Sequence, residues 1–289
     1  MILFIVNPVA GNGGAKAILP IIESYAAQHN LPHKIEYTTG VAHATELARA
    51  YIDSCDVIVA IGGDGTVRET AIALVGSSTA LGVIACGTGN DLIKSLGIPK
   101  DPHEALQVIS SGNARTIDTG TVNGKTVINV AGIGFDVDVV RNTLRYKKRY
   151  SGMRAYVMGI LSTLLHIQLT HIRLTADDTS FECDTLITSV ANGRIIGGGM
   201  LVAPRAELDD GLFDVCCVSN VPKILIPFLV PRFIKGTHIS LKYCRYFKAR
   251  QVDIEAAFPI EAQIDGELIS LDRLDFRLLP ASLNVLVPR

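Results

Sequence analysis

The sequence predicts an α/β domain followed by a β-rich domain, and three observations carry that reading. Its 289 residues exceed what one hydrophobic core organises comfortably and fall short of what three would need. Up to about residue 120, short β-rich runs alternate with helical stretches, the pattern of an open parallel sheet with helices on both faces. Beyond about Asp118 the rhythm changes to successive β-rich runs, which favours antiparallel sheets. With 48% hydrophobic and 19% charged residues, disorder is excluded as the global state.

Residues 2–6 read as a buried first strand, because they lack a basic leader and meet Asn7 and Pro8 after too few apolar residues for a signal peptide. A helix is expected over 15–29, a strand over 33–37, a helix over 43–52 and a strand over 57–61. A helix beginning near Val67 and continuing through 71–75 follows, then a strand over 81–85. In the second half, strands are expected at 127–131, 172–176, 186–191, 213–218, 252–256 and 262–264. Helical segments over 153–169 and 222–235 interrupt them, the second chopped by Pro222, Pro227 and Pro231. The longest apolar stretch, 155–165, contains Ser162 and Thr163 and falls short of the roughly 18 to 20 residues that span a bilayer. Six cysteines, at 55, 86, 183, 216, 217 and 244, form no Cys-x-x-Cys pair and no zinc spacing, so buried free thiols in a reducing cytoplasm are expected.

The net charge of -1 argues against a bulk polyanion binder. Charge is nevertheless uneven: residues 1–140 hold 8 Lys/Arg against 13 Asp/Glu, and residues 141–289 hold 19 against 15. Residues 141–154 carry six basic side chains (Arg141, Arg145, Lys147, Lys148, Arg149, Arg154) and 221–250 carry seven, with no acid in either stretch and apolar segments beside both. Such stretches form either a solvated helix face or a contact with an anionic membrane surface. Nucleic acid is disfavoured by neutral overall charge, 6% aromatics without Trp, and the lack of a recognition motif.

Three glycine-rich loops carry the chemistry. Strand 57–61 runs into Gly62-Gly63-Asp64-Gly65-Thr66, where glycines let the backbone approach a phosphate and the following helix N-terminus favours negative charge. Asp64 would address a metal or a ribose there. The next strand ends in Gly87-Thr88-Gly89-Asn90-Asp91, and the first strand in Asn7-Pro8-Val9-Ala10-Gly11-Asn12-Gly13-Gly14, so all three edges belong to the carboxyl ends of one parallel sheet. Asn90 or Asp91 taken alone would be a helix cap. The sequence contains no P-loop string, and Lys16 stands where a dinucleotide fingerprint begun at Gly11 needs glycine. Protein-kinase, α/β-hydrolase and H-E-x-x-H motifs are missing as well.

With these residues in hand, the chain resembles the diacylglycerol kinase catalytic-domain family, in particular its soluble bacterial lipid-kinase branch, which is related to sphingosine kinases and NAD kinases. The resemblance spans the whole chain. It rests on Asn7-Pro8 with Gly11, the 62–66 and 87–91 loops, 129–135 (NVAGIGF), Asn192 with Gly197-Gly198-Gly199, the stretch from Ala203-Pro204 through Asp209-Asp210-Gly211, and Asp265-Gly266-Glu267, all in the family's order. It implies a Rossmann-like N-terminal nucleotide-binding domain, a β-sandwich-like C-terminal domain and an active site in the interdomain cleft. The expected division is 1–120, with the tail 280–289 returning to it, and 121–279 as the lipid-substrate domain.

The resemblance further implies ATP and Mg²⁺ as cofactors. Asn7, Thr38, Gly62, Gly63, Asp64, Gly65, Thr66, Glu69, Thr88 and Asn90 would line the nucleotide site, with Asp64, Asp91 and Asp118 linked through magnesium and water. Glu267 matches the family's general base and Asp265 stands beside it, although Asp265-Gly266 is also an ordinary hairpin-turn signal. Glu207, Asp210 and the Leu212 carbonyl match a second, structural Mg²⁺ site, with Asp209 as an alternative ligand. Asn12 stands where relatives often carry a basic residue, which leaves Lys16 as the nearest cation. The implied activity is transfer of the γ-phosphate of ATP to a lipid hydroxyl, diacylglycerol by default, at the inner face of the membrane and aided by anionic phospholipid; a homodimer is compatible with this. An NAD kinase-like phosphotransferase and a non-catalytic nucleotide-binding regulator recruited to the membrane are the alternatives.

Overall fold

A computed structural model describes residues 1–147, 149–150 and 152–289. Lys148 of the first basic stretch and the side chain of Asn12 lie outside the described residues. The chain divides into two compact units, residues 1–119 with 281–289, and residues 120–280.

In the first unit, β1 (Ile2–Val6) leads through a 3₁₀ turn to α1 (Gly14–Ala17) and α2 (Leu19–His29). The single helix expected over 15–29 is broken because Pro20 sits in the first turn of α2 and has no amide to continue the ladder of the preceding turn. Next come β2 (His33–Tyr37), α3 (His43–Tyr51), β3 (Val57–Gly62), α4 (Asp64–Leu74), β4 (Ala80–Ala85), α5 (Asp91–Leu96) and α6 (Pro102–Ser111). Helix α4 begins at Asp64, not near Val67: Gly63 takes the N-cap position in extended conformation, so Asp64, Gly65 and Thr66 form the first turn. The strands pair in parallel in the order β2-β1-β3-β4. Phe4, Val6, Val59, Ile61 and Ile84 pack against Ile18, Ile22, Leu106 and Ile109 from the covering helices. Apolar residues fill consecutive positions of β1 and β3 because both faces of this sheet are covered.

Strand β5 (Ala114–Val122) carries the chain out of the first unit. The second unit then contains β6 (Lys125–Val127), β7 (Val130–Gly134), α7 (Phe135–Tyr146), α8 (Gly152–Leu165), β8 (Thr170–Ala176), β9 (Thr179–Ala191), β10 (Phe213–Ser219), a 3₁₀ segment (Lys223–Phe228), α9 (Val230–Ile234), β11 (Cys244–Ala249) and β12 (Gln251–Ile264). Strand β13 (Glu267–Leu286) begins in this unit and ends in the first, where Val285 pairs with Leu81 of β4. Pairing in the second unit is antiparallel: β11-β10-β9, with β7 and β8 sharing one column between β9 and β12, and β13 beyond. Both faces of β10 are buried, since Phe213, Val215 and Cys217 join one core while Cys216 and Val218 join the other. The six cysteines are free; Cys55, Cys183, Cys216 and Cys217 are buried and Cys86 and Cys244 partly so.

The 222–235 segment divides as its prolines dictate. Pro227 lies in the 3₁₀ turn and Pro231 opens the short α9. Ile226, Leu229 and Phe233 pack into the core, whereas Ile224, Phe228 and Ile234 remain 79%, 69% and 54% exposed. No helix of the described residues is long and apolar enough to cross a membrane.

Candidate active site

In the first unit the three glycine-rich loops are fastened to each other by contacts that only glycine permits. The Asn7 side-chain amide donates to Thr66 Oγ1 at 3.0 Å. That hydroxyl lies so close over Gly62 that a Cβ there would sit 2.4 Å from it. Gly11, with φ of +60°, passes the Cys86 carbonyl where a Cβ would come within 2.5 Å. A Cβ on Gly87 would fall 2.6 Å from Gly63 Cα. The Cys86 amide donates to the Gly62 carbonyl at 2.7 Å, which closes the contact between the second and third loops.

Asp64 is the centre of this arrangement. Its Oδ2 accepts from the Asn90 amide and its Oδ1 from the Asp91 amide, both at 2.8 Å. It therefore caps α5 across the loops, and Gly89 has no room for a Cβ because one would meet Asp64 Oδ2 at 2.5 Å. Asn90 stands in the left-handed region (φ 56°) and its side-chain amide donates to the Gly87 carbonyl at 2.7 Å, holding the third loop closed. Asp91 forms an ion pair with Lys94 at 3.7 Å. Helix α4 itself has no side-chain cap, and Gly65 in its first turn and Thr88 in the third loop are exposed. Uncapped amides on an 11-residue helix, bordered by exposed glycine backbone, suit an anionic phosphate group.

Other expected residues lie further out. Glu69 accepts from the Ala42 and Ala44 amides at 2.9 and 3.2 Å, so its carboxylate caps α3. Thr38 is buried and its amide continues the β1 ladder, donating to Val6 at 2.9 Å. Asp118 is buried in β5 and accepts from the Ala281 amide at 2.7 Å. Among the described residues no group of three or more His, Cys, Asp or Glu side chains is placed to hold an ion by itself. Magnesium ordinarily relies on one or two carboxylates plus waters and substrate phosphates, and Asp64 with Asp91, whose backbone amide donates to it, offers hard oxygens of that type.

In the second unit Asp265 and Gly266 form the two-residue turn between β12 and β13, with φ of 49° and 89°, and Ile264 pairs with Glu267. The hairpin turn and the acidic triplet are thus one feature. The Asp265 carboxylate accepts from three backbone amides, Ile128 at 2.9 Å, Asn129 at 2.9 Å and Val130 at 3.0 Å. Three amide donors to one carboxylate make an anchor for the start of β7, so Asp265 orders the backbone beside Glu267. The Asn192 side-chain amide donates to the Ile128 carbonyl at 3.1 Å and the Asn129 side-chain amide to the Ile195 carbonyl at 2.9 Å, which ties the 129–135 and 192–199 motifs together. Glu267 is exposed at the first position of β13.

Two residues that sequence reasoning passed over stand behind this turn. Gln263, 3% exposed, accepts from the Gly266 amide through Oε1 at 2.8 Å and donates through Nε2 to Asp136 Oδ2 at 3.1 Å. Asp136 is 3% exposed in the first turn of α7, and its burial pushes the carboxyl pKa up to about 6. Asp136 also lines a small, otherwise apolar pocket of about 20 Å³ formed with Phe135, Leu186, Met200, Leu229 and Phe233.

Among the residues matched to a second ion site, Asp210 has partners within the chain. Asp210 accepts from the Leu212 amide at 3.0 Å and is paired with Lys248, while Glu207 is exposed. Lys248 also lies 4.0 Å from Asp214, which is fully buried and whose carboxyl pKa burial raises. A lysine ammonium already supplies positive charge to this acidic pair.

Comparison with known proteins gives these units their relatives. Residues 1–122 match the diacylglycerol kinase catalytic domain, and residues 129–287 match the YegS C-terminal NAD kinase beta sandwich-like domain. A Pseudomonas aeruginosa protein (strain UCBPP-PA14) named "Probable lipid kinase YegS-like" is 34% identical across 80% of this chain and 76% of its own. The "Diacylglycerol kinase" of Mycobacterium tuberculosis (strain CDC 1551 / Oshkosh) is 30% identical across 98% and 94%. The crystal structure of a "putative diacylglycerol kinase" from Bacillus anthracis str. Sterne superimposes with a TM-score of 0.85 at 26% identity, covering 99% of this chain and 95% of that one. Two domain matches in the right order, and relatives aligned over most of the chain, establish that the protein belongs to the diacylglycerol kinase catalytic-domain family and carries its YegS-type, β-sandwich-like second domain.

Proposed function

We propose that the protein transfers the γ-phosphate of ATP to the hydroxyl of a membrane lipid, diacylglycerol, giving phosphatidic acid. The observation that carries the lipid acceptor is the exposed apolar surface of the second unit, where Ile224, Phe228 and Ile234 stand beside Lys223, Arg232 and Lys235. A soluble acceptor such as NAD gains nothing from such a surface, whereas a lipid held in a bilayer is reached through it.

In this reading the first unit holds ATP. The half-buried backbone of Gly63, the exposed Gly65 and Thr88 and the N-terminus of α4 take the phosphates, and Asn7, Gly62, Thr66 and Asn90 keep the loops in that shape. Thr38 and Glu69 support the rim by fixing β1 and α3. Asp64 and Asp91, with Asp118, would hold Mg²⁺ through water, and the ion would neutralise the charge that gathers on the transferred phosphoryl group. Glu267 accepts the proton of the attacking hydroxyl, and Asp265 fixes the backbone that presents it. Incubation with labelled ATP, Mg²⁺ and mixed micelles holding diacylglycerol, phosphatidylglycerol or sphingosine, and separately with NAD, tests the proposal. Labelled phosphatidic acid is the expected product; label on NAD alone would reassign the acceptor.

The partner is an anionic bilayer surface. Ile224, Leu225, Phe228 and Ile234 are exposed beside Lys223, Arg232 and Lys235, a mixture of apolar and cationic side chains suited to the headgroup level. Arg141 of the first basic stretch is already paired with Asp138 and Glu261 and contributes less. Helix α8 adds a second apolar stripe, Val157, Leu161 and Leu165. Replacing both Ile224 and Phe228 with Ser is expected to weaken sedimentation with phosphatidylglycerol vesicles by roughly tenfold or more. Raising salt should weaken the wild type further, and unchanged sedimentation in either experiment would argue against this surface.

A further inference from the structure

Gln263 lies inside β12 opposite Gly132 of β7 and Leu268 of β13. Its burial leaves its side-chain amide two polar partners with opposite requirements. The Gly266 amide can only donate, so Oε1 must face it, and Nε2 must then face Asp136. Asp136 is seated for this: Oδ2 accepts from Gln263, Oδ1 accepts from the Val137 amide at 3.0 Å, and a Cβ on Gly132 would stand 2.0 Å from Oδ2. A glycine at 132 is what admits the carboxylate to the sheet.

We infer that Gln263 is a positioning residue for Glu267, and that the ionised Asp136 carboxylate keeps its amide oriented so that the Asp265–Gly266 turn stays fixed. This rests on the reading of Glu267 as the base. A proton on Oδ2 would place a donor against the Gln263 NH₂ group. If the amide turned over to accept it, its NH₂ group would meet the Gly266 N–H and the bond to the turn would be lost; if it did not, the Asp136 contact would be lost and Oε1 would no longer be held on the turn. A proton on Oδ1 would instead oppose the Val137 amide. The charged groups around Asp136 are few. Asp138, on the same helix, raises its pKa; Arg141 and, from β12, Glu261 pair with each other beyond it. The facing residues of β9, the 3₁₀ segment and α9, and the 196–200 loop are apolar. Burial sets the Asp136 value near 6, so the orientation is held above that pH and released as pH falls through it.

The test follows the Gly266 amide resonance of ¹⁵N-labelled protein from pH 4.5 to 8, alongside kcat and the ATP KM. In the wild type the resonance should move with a midpoint near 6. Asp136→Asn presents an oxygen that cannot titrate, so the movement should vanish. Gln263→Leu should abolish the movement too, and should lower kcat by about ten- to a hundredfold with the ATP KM unchanged, the loss expected when a reacting group is displaced by about 1 Å. A Gly266 resonance that titrates in Gln263→Leu as in the wild type, or one that does not titrate in the wild type, overturns the relay. A kcat unchanged in Gln263→Leu overturns the positioning role. Wild-type turnover in Glu267→Gln, with the Gly266 titration intact, would instead refute the base assignment and leave the relay standing.

Discussion

Glu267→Gln is expected to lower kcat for lipid phosphorylation by two to four orders of magnitude while leaving ATP affinity and the melting temperature close to wild type. The magnitude is that of losing a positioned general base. The selectivity follows from place: Glu267 is exposed at the start of β13, so the substitution opens no cavity, and the loops proposed to hold ATP belong to the other unit. Turnover can be read with radiolabelled ATP and affinity by calorimetry with a non-hydrolysable analogue. Retention of kcat within tenfold would remove Glu267 from the chemistry. Asp265→Asn should behave differently, because it exchanges one acceptor of a carboxylate that holds three amides and so acts on the backbone.

The second large effect is expected at Gly87. A methyl group there would lie 2.6 Å from Gly63 Cα and 2.8 Å from Asn90 Oδ1, and the first of these is backbone that cannot swing aside. Gly87→Ala should therefore push the second and third loops apart and strain the bonds from Asp64 to the Asn90 and Asp91 amides. A destabilisation of about 1–3 kcal/mol is the usual cost of such overpacking. Since about 1.4 kcal/mol is a factor of ten, that strain borne by the nucleotide loops should weaken ATP binding by roughly five- to 150-fold. Gly40→Ala is the control, because a Cβ at that position meets nothing within 4 Å. If Gly87→Ala binds ATP as tightly as the control, the loop contact is not what shapes the site.

The sequence disclosed these features unevenly, for physical reasons. The glycine loops were legible because glycine at a strand end followed by a helix has few other uses, and their order along the chain matched a family pattern. The start of α4 was misjudged because Gly65 is a poor helix former, yet the helix is begun by the geometry of Gly63 and held by packing of Val67, Thr70, Ala71 and Leu74. Strand β13 escaped notice because its alternation mixes charged and apolar residues, as in Leu271 to Arg277. The capping roles of Asp64 and Glu69 depend on amides 26 and 27 residues away in the chain, which no local pattern encodes. Gln263 was invisible for a related reason. Ile260, Ala262 and Ile264 fill one core, so Gln263 belongs to the opposite face, and only the packing of α7 there makes it buried.

The division of β13 between the units has a consequence for biosynthesis. Residues 281–289 complete the first unit, and Leu283, Val285 and Leu286 are buried, yet the ribosome delivers them only after all of residues 120–280. At ordinary synthesis rates that interval is about ten to thirty seconds. During it, the nascent first unit has β4 paired with β3 alone and apolar surface uncovered on its open side. The second unit is complete at residue 280 and the first only nine residues later, so the two are expected to reach their final folds together although most of the first is made well before.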